Sequence, residues 1–466
     1  MQQVQTQNGI ETAADKRSDF SASYKTWLMI VLTLVYAFNF VDRIVVSVVG
    51  QAMKTDLGLS DLQLGLLGGL AFSLFYSCLG IPVARLAEHS NRVRLLAVCV
   101  GLWSVLTAAL GIAQSYVQLL FLRMGVGIGE AGGTPTSHSL IADHFSPAKR
   151  ATALAILAWG PPIGGMAAAF AGGYLAQTIG WRHAFIVVGL PGLAVALLAW
   201  LTLREPPHGL SDRLAGIRSE ATHAPPLRDV LKFARTNPIF RNLILGTAVE
   251  SFATYSINLF LPVYLARVYH MGLAQAGLTF GLIIGLGGLI GNTLGGTLAD
   301  RLGIADRRWY AWISALGFVL AGSAAMLGFL QADWHYGVAA FFVYAVLSNF
   351  WYGPTFSLIH GMVDARMRAS CTAVVFLLMN LMGQGIGMTV VGGLSDVLAG
   401  RSFGGGDYHQ LCIAGQAALK ADPDLAAACG QASADGIRGA MALAALALFA
   451  SVFFYLRAAR GVGRSR

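Results

Sequence analysis

Long apolar runs recur along the chain, separated by short polar segments. They fall at 27–50, 62–84, 93–113, 116–142, 152–178 and 183–203, numbered here as spans 1–6. A second set lies at 238–266, 273–299, 309–329, 335–360, 369–397 and 437–456, spans 7–12. A helix needs roughly 20 residues to cross a hydrocarbon core of about 30 Å, and each run supplies that length. The shorter alternating segments of a transmembrane β-barrel are absent. The pattern predicts an all-α membrane protein with two groups of six helices.

The boundaries divide the chain into a tail (1–26), a six-helix bundle (27–203), a linker (204–237), a second bundle (238–459) and a closing tail (460–466). A long loop at 398–435 lies before span 12. In the linker, Leu227, Val230, Leu231 and Ala234 recur at helical spacing with Arg228, Lys232 and Arg235 between them, which predicts an amphipathic helix at the membrane surface. Residues 1–26 lack the basic start, apolar run and cleavage site of a signal peptide, so span 1 is expected to serve as an uncleaved insertion signal.

Composition agrees: 56% of residues are hydrophobic and 12% charged, against about 25% charged in a soluble domain. Charge then sets the orientation. Of 32 Lys and Arg, five fall in segments assigned outside (Lys54, Arg182, Arg267, Arg401 and Lys420) and three at membrane positions (Arg43, Arg123 and Arg438), leaving 24 on the side of both termini. Basic residues collect on the cytoplasmic side. Both termini are therefore expected in the cytoplasm of a multi-pass plasma-membrane protein. The net charge of +9 is explained without nucleic acid.

The halves repeat locally. Pro135-Thr136-Ser137-His138-Ser139-Leu140-Ile141 in span 4, followed by Asp143 and Arg150, is echoed by Pro354-Thr355-Phe356-Ser357-Leu358-Ile359 in span 10, followed by Asp364 and Arg368. After span 8 the chain reads Gly296-Thr297-Leu298-Ala299-Asp300-Arg301-Leu302-Gly303. After span 2 a degraded copy reads Leu86-Ala87-Glu88-His89-Ser90-Asn91-Arg92. Repeated halves suit an alternating-access carrier with its site between them.

Charges inside membrane spans are costly and point to partners, water or function. Asp42, Arg43, Arg123, Glu130 and Glu250 are the candidates, a structural ion pair being the alternative. Arg123 and Glu130, seven residues apart, share one face of a helix. Asp42 and Arg123 lie at similar depth, about 12 and 10 Å from the outer surface at 1.5 Å per residue. Asp42 is expected to pair with Arg123 and Arg43 with Glu130, forming a protonatable cluster able to couple protons to transport. Glu250, Ser251, Thr254, Tyr255 and Asn258 form a polar stripe on span 7, and Asn380 and Gln384 an i, i+4 pair on span 11. They are candidate substrate contacts, or polar ties between helices. His138 and His360 lie near helix ends and read as structural. Gly160-Pro161-Pro162-Ile163-Gly164-Gly165 in span 5 resembles the motif of proton-coupled drug exporters and is expected to pack on span 8. Cys412 and Cys429 share the outer loop, where an oxidising compartment permits a disulfide. No Cys/His cluster has zinc spacing, so neither metal nor cofactor is implied.

The Gly296–Gly303 string resembles the loop motif of the major facilitator superfamily. Phe40-Val41-Asp42-Arg43, Asp56-Leu57-Gly58-Leu59-Ser60, Asn91-Arg92, Trp103-Ser104 and Arg123-Met-Gly-Val-Gly-Ile-Gly-Glu130-Ala131 are similar to the spinster family, over about 160 residues of the first half. The resemblance implies the major facilitator fold of two pseudo-symmetric six-helix bundles. It also implies a cytoplasmic latch at Glu88, Arg92, Asp300 and Arg301. Glu88 and His89 stand where Asp-Arg is usual. Animal spinster proteins carry sphingosine 1-phosphate and lysophospholipids, which implies an amphipathic, lipid-like substrate. The expected partners are that substrate, protons and membrane lipids, with the chain acting as a monomer.

Other functions lack their motifs. An ATP-driven pump needs a phosphate loop, and no Gly-Lys dipeptide occurs. Nucleophile-elbow and HExxH sequences are missing, so no enzyme is expected. No extra domain suggests a receptor. Within transport, the alternative is a proton-coupled exporter of drugs or other amphipathic molecules.

Overall fold

The structure is a computed structural model and describes residues 20–207, 210, 227–363, 365–415, 419 and 421–462. The described residues are helical, without a strand. The first half comprises α1 (Ala22–Leu57), α2 (Asp61–Gly68 continuing as Leu70–His89), α3 (Arg92–Leu110), α4 (Tyr116–Glu130, then Gly133–His144), α5 (Pro147–Leu157, then Gly160–Thr178) and α6 (Trp181–Thr202). A short linker helix, Leu227–Thr236, leads to α7 (Pro238–Val268), α8 (Leu273–Gly303), α9 (Trp309–Leu330) and α10 (Trp334–Ser348, then Tyr352–Met362). The series ends with α11 (Ala365–Met379, a π-helical Asn380–Gly387, then Met388–Ser402) and α12 (Pro423–Val462).

Among the described residues, ten helical stretches are long and apolar enough to span a membrane. The two further spans, α4 and α10, are each broken at the midpoint, and proline explains both breaks. Pro135 and Pro354 are the third residues of the restarted segments. A proline in a helix interior lacks an N–H and clashes with the carbonyl four residues back, but is tolerated in a first turn. The helix therefore stops before Ala131 in one half and before Asn349 in the other. Pro162 acts likewise in α5, where the helix is interrupted at Ala158–Trp159. The repeat seen in the sequence is thus a repeat of helix breaks.

Each bundle buries its own apolar core, around Trp103, Phe72 and Phe185 in the first half and around Phe260, Phe280 and Tyr455 in the second. Large apolar side chains also cover the outside: Phe121 is 67% exposed and Leu201 69%. In water such a surface would aggregate, whereas in lipid it is solvated.

The end of the molecule bearing the termini is called here the terminal face, and the other the distal face. α12, with 40 residues, is about 60 Å long at 1.5 Å per residue. Its first turns project beyond the distal face and occupy part of the expected 398–435 loop. Cys429 on this extension is disulfide-bonded to Cys412, with Cα atoms 5.4 Å apart. At the distal face the halves touch closely. A Cβ placed on Gly392 of α11 would lie 2.2 Å from the Asp61 carbonyl oxygen of α2, so only glycine permits this approach. The exporter-like motif meets α8 as expected, with Gly165 facing Ile284, and also packs on α1. Gly160 and Gly164 press on α1 at Thr33 and Ala37, because the α5 break turns this face inward, while the next turns, at Gly173, meet α8 at Leu273.

Candidate functional site in the central membrane helices

Midway along α1 the chain reads Asn39-Phe40-Val41-Asp42-Arg43, and helical spacing puts Asn39 and Arg43 one turn apart on one face. Both meet Glu130, the last residue before the α4 break. Arg43 Nε donates to Glu130 Oε2 at 2.8 Å, and Asn39 Nδ2 donates to the same oxygen at 2.9 Å. Glu130 is fully buried, and its second oxygen, Oε1, has no hydrogen-bond partner among the described residues. The expected Arg43–Glu130 pair therefore forms. Three aromatic rings surround the guanidinium: Phe40, Phe72 and Tyr76, with centroids 5.1, 4.8 and 4.7 Å from Arg43 Cζ. A desolvated guanidinium over aromatic faces gains cation–π stabilisation of about 2 kcal/mol.

The second expected pair takes another form. Arg123 Nη1 donates to the main-chain carbonyl of Asp42 at 3.2 Å, and no ion pair joins the two side chains among the described residues. Arg123 stacks on Phe72, 4.7 Å from its centroid. Asp42 is 2% exposed, and its Oδ2 has no hydrogen-bond partner among the described residues. The cause is local geometry. Gly127 lets α4 approach the α2 backbone at Phe72, which draws Arg123 across that ring and away from the Asp42 carboxylate. A buried polar atom left without a partner costs roughly 1–3 kcal/mol and marks a place where structure serves something other than stability.

The α7 stripe divides. Glu250 and Ser251 are buried, and Glu250 Oε1 accepts from Thr254 at 2.6 Å. Thr254, Tyr255 and Asn258 are partly exposed. Tyr255 comes within electrostatic reach of Arg43 and Tyr36 across the interface between halves, as does Tyr352 of Tyr36. Opposite the stripe, Asn380 and Gln384 lie in the π-helical part of α11, where Gly383 admits Tyr255 and the Ser251 carbonyl. π-helical turns within α-helices frequently occur at functional sites. Gln384 is 2% exposed, with Oε1 unpartnered among the described residues.

Of the four latch residues, the side chain of Glu88 lies outside the described residues. Arg92 is turned into its own half: Nη1 meets Asp143 and Ser139, Nε meets Glu205, and Nη2 donates to the Pro206 carbonyl at 2.8 Å. Asp300 accepts from Tyr310 of its own half at 2.9 Å, and Arg301 is exposed. Among the described residues these groups make no bond between halves.

The ionic closure lies at the distal face instead. Arg267 on α7 donates through Nη1 and Nη2 to the Asp61 carboxylate at 2.7 and 2.6 Å, and through Nε to Gln51 on α1 at 2.6 Å. Lys54 reaches Asp61 Oδ1 at 2.8 Å and Ser395 of α11 reaches Oδ2 at 2.7 Å. Asp396 of α11 accepts from the N–H groups of Asp61 and Leu62 at 2.9 and 2.8 Å, capping the first turn of α2 from the other half. Sequence reading missed this network because Lys54 and Arg267 counted as loop charges and Asp61 was not singled out. The signal was Asp61 beside an apolar run, with no partner in its own half except Lys54. Asn39, Phe72 and Tyr76 were missed too; Asn39 was detectable one turn before Arg43.

The chain matches the family model for the Major Facilitator Superfamily over residues 32–392. It is 34% identical to an MFS-type efflux pump of Mycolicibacterium smegmatis, over 80% of this chain and 85% of that protein. It is 28% identical to mouse protein spinster homolog 1, over 81% of this chain and 74% of that one. The fold superposes, with a TM-score of 0.85 and 31% identity, on the crystal structure of a bacterial homolog to the human lysosomal transporter Spinster in an inward-facing, unoccupied conformation. That match covers 96% of this chain and 99% of the other. Broken central spans, glycine-tight contacts between halves and a buried charge cluster at Asp42-Arg43 thus coincide with a family match over most of the chain: this protein belongs to the major facilitator superfamily, and within it to the spinster proteins.

Proposed function

We propose that the chain is a proton-coupled secondary carrier that moves an amphipathic, lipid-like molecule of lysophospholipid or sphingoid type by alternating access. The observation that carries this reading is the Arg43–Glu130 pair, buried among Phe40, Phe72 and Tyr76, beside an Asp42 carboxylate whose Oδ2 has no hydrogen-bond partner among the described residues. Arg43 supplies a cation for a phosphate or other anionic head, and the aromatic walls accept an apolar chain. Protonating Glu130 weakens its hold on Arg43 and frees that cation, while Asp42 is the second proton acceptor. Thr254, Tyr255, Asn258, Asn380 and Gln384 are assigned to the opposite wall of the substrate path, with Glu250 behind them.

The distal network of Asp61, Lys54, Arg267 and Asp396 is the closed gate of this state, and the opposite face bears the termini. The reading places that face in the cytoplasm, on the 24-to-5 bias of basic residues. Thiol labelling of single-Cys probes on intact cells checks the orientation: a probe at Thr236 is expected to be protected, and outside accessibility would reverse the assignment.

A second reading, export of drug-like amphipathic molecules, is favoured by the 34% identity to an efflux pump. Flux in proteoliposomes separates the two. Lysophospholipid flux is expected, and efflux of cationic dyes without any lysolipid flux would favour the second reading.

A further inference from the structure

The broken spans α4 and α10 each have a buried acid beside the break, and the two acids differ in what surrounds them. Glu130 ends the first segment of α4 and is held by Arg43 and Asn39. In the other half Glu250 of α7 is 1% exposed. It lies within electrostatic reach of Tyr344, one turn ahead of the α10 break, and of Tyr455 on α12, which bonds Thr355 just after that break. The hydrogen bond that Glu250 makes among the described residues comes from its own helix, Thr254 Oγ1 donating to Oε1 at 2.6 Å. Tyr255, also on α7, is the remaining titratable group in reach. Among the described residues the helices packed around α7 bring no cation to Glu250.

A neutral phenol supplies no counter-charge, and the Tyr455 hydroxyl is already engaged with Thr247 and Thr355, at 3.0 and 2.8 Å. An ionised carboxylate in these surroundings has lost its water without gaining a cation, and a group so placed takes up a proton instead. The geometry suits the neutral acid. With the proton on Oε2, Oε1 is a carbonyl oxygen and keeps its hydrogen bond from Thr254. Thr254 is partly exposed, and a hydroxyl can accept one proton while passing on its own, so it links Glu250 to the surface.

We propose that Glu250 is a second proton-binding site, housed in the second half, separate from the Asp42–Glu130 cluster and loaded in this state. A proton enters through the Thr254 hydroxyl, the carboxylate becomes a carboxylic acid, and release returns the proton by the same route. An acid among neutral neighbours gives up its proton when a helix movement brings water or a cation to it. Tyr344 stands on the segment whose break permits such a movement. Each half then holds an exchangeable proton beside its broken span. The use of this proton in transport rests on the proton-coupled reading above, whereas its presence on Glu250 does not.

Infrared spectroscopy of the full chain in a maltoside detergent, which has no carbonyl group of its own, tests the site. At neutral pH the wild type is expected to show a carboxylic-acid C=O stretch, sensitive to heavy water, that Glu250→Gln lacks. Raising the pH is expected to remove that band reversibly and to add carboxylate absorption. Thr254→Val keeps the acid and deletes the hydrogen bond to Oε1. It is expected to move the same band to higher frequency, which identifies the band even where Glu250→Gln folds poorly. Equal carboxylic-acid absorption in the wild type and Glu250→Gln at neutral pH overturns the proposal, as does a band unmoved by Thr254→Val. So does a band that persists unchanged through the alkaline titration, since the proton would then be fixed and structural. Flux that ignores a pH gradient while the band is present would count against the transport reading alone. A missing band with gradient-driven flux intact would count against this site alone.

Discussion

Arg43 joins an ion pair to an aromatic cage. Its guanidinium holds one oxygen of Glu130 and lies within 5.1 Å of three ring centroids. Removing one member of a buried pair strands the other charge, at a cost of about 3–5 kcal/mol. Arg43→Ala is therefore expected to lower thermal stability in detergent markedly, with Asn39 the remaining donor to Glu130. Arg43→Ala combined with Glu130→Gln is expected to regain most of the loss, since no buried charge is then stranded. Equal melting temperatures for Arg43→Ala and the wild type would show that the pair contributes no stability. The pair itself was legible in the sequence, because a charge in an apolar run needs a partner and matching the depths of Asp42 and Arg123 set Arg43 beside Glu130. The state of Asp42 was not. Whether Arg123 meets a carboxylate or a carbonyl depends on which side of the Phe72 ring it crosses, and helical spacing carries no information on that.

At the scale of the helix, proline and glycine decide shape. The apolar runs located the twelve spans, while the breaks in α4, α5 and α10 come from Pro135, Pro162 and Pro354, residues visible in the sequence whose effect depends on a segment restarting close before them. The π-helical stretch of α11 was not legible, because its extra residue arises from packing of Gly383 and Gly387 on α7. The close approach of α2 and α11 is glycine-dependent in the same way. Gly392→Val has no room against the Asp61 carbonyl, so it is expected to separate the helices and open the distal face. Spin labels at Thr55 and Arg401 are expected to move apart by several ångström, and an unchanged distance distribution would mean that the contact is not what closes this face. The Cys412–Cys429 bond holds the projecting start of α12 to the segment after α11, closing a loop of 17 residues. A chain-entropy model assigns such a loop roughly 3 kcal/mol. Cys412→Ser is expected to lower thermal stability, and two free thiols by intact mass in protein purified without reductant would remove the basis for that expectation.

Across the whole molecule, every ionic contact between halves described above lies at the distal face, while at the terminal face Arg92 and Asp300 bond within their own halves and Arg301 is exposed. That asymmetry is what one state of an alternating-access carrier requires, since closing the terminal face must dissolve the Asp61–Arg267 network. The two-bundle organisation and the repeat were readable from sequence. The conformation was not, because the distal gate joins Asp61 to residues 206 and 334 positions away, and no local pattern announces such a pairing. The central claim is that protons act through the α1–α4 cluster. Lysophospholipid flux into proteoliposomes with an imposed pH gradient tests it most directly, with expression and monodispersity measured beside it. The wild type is expected to respond to the gradient. Asp42→Asn and Glu130→Gln are expected to fold and to lose gradient-driven transport, while still able to exchange substrate down its own gradient. Full gradient-driven transport by both variants would contradict the account and place coupling elsewhere in the chain.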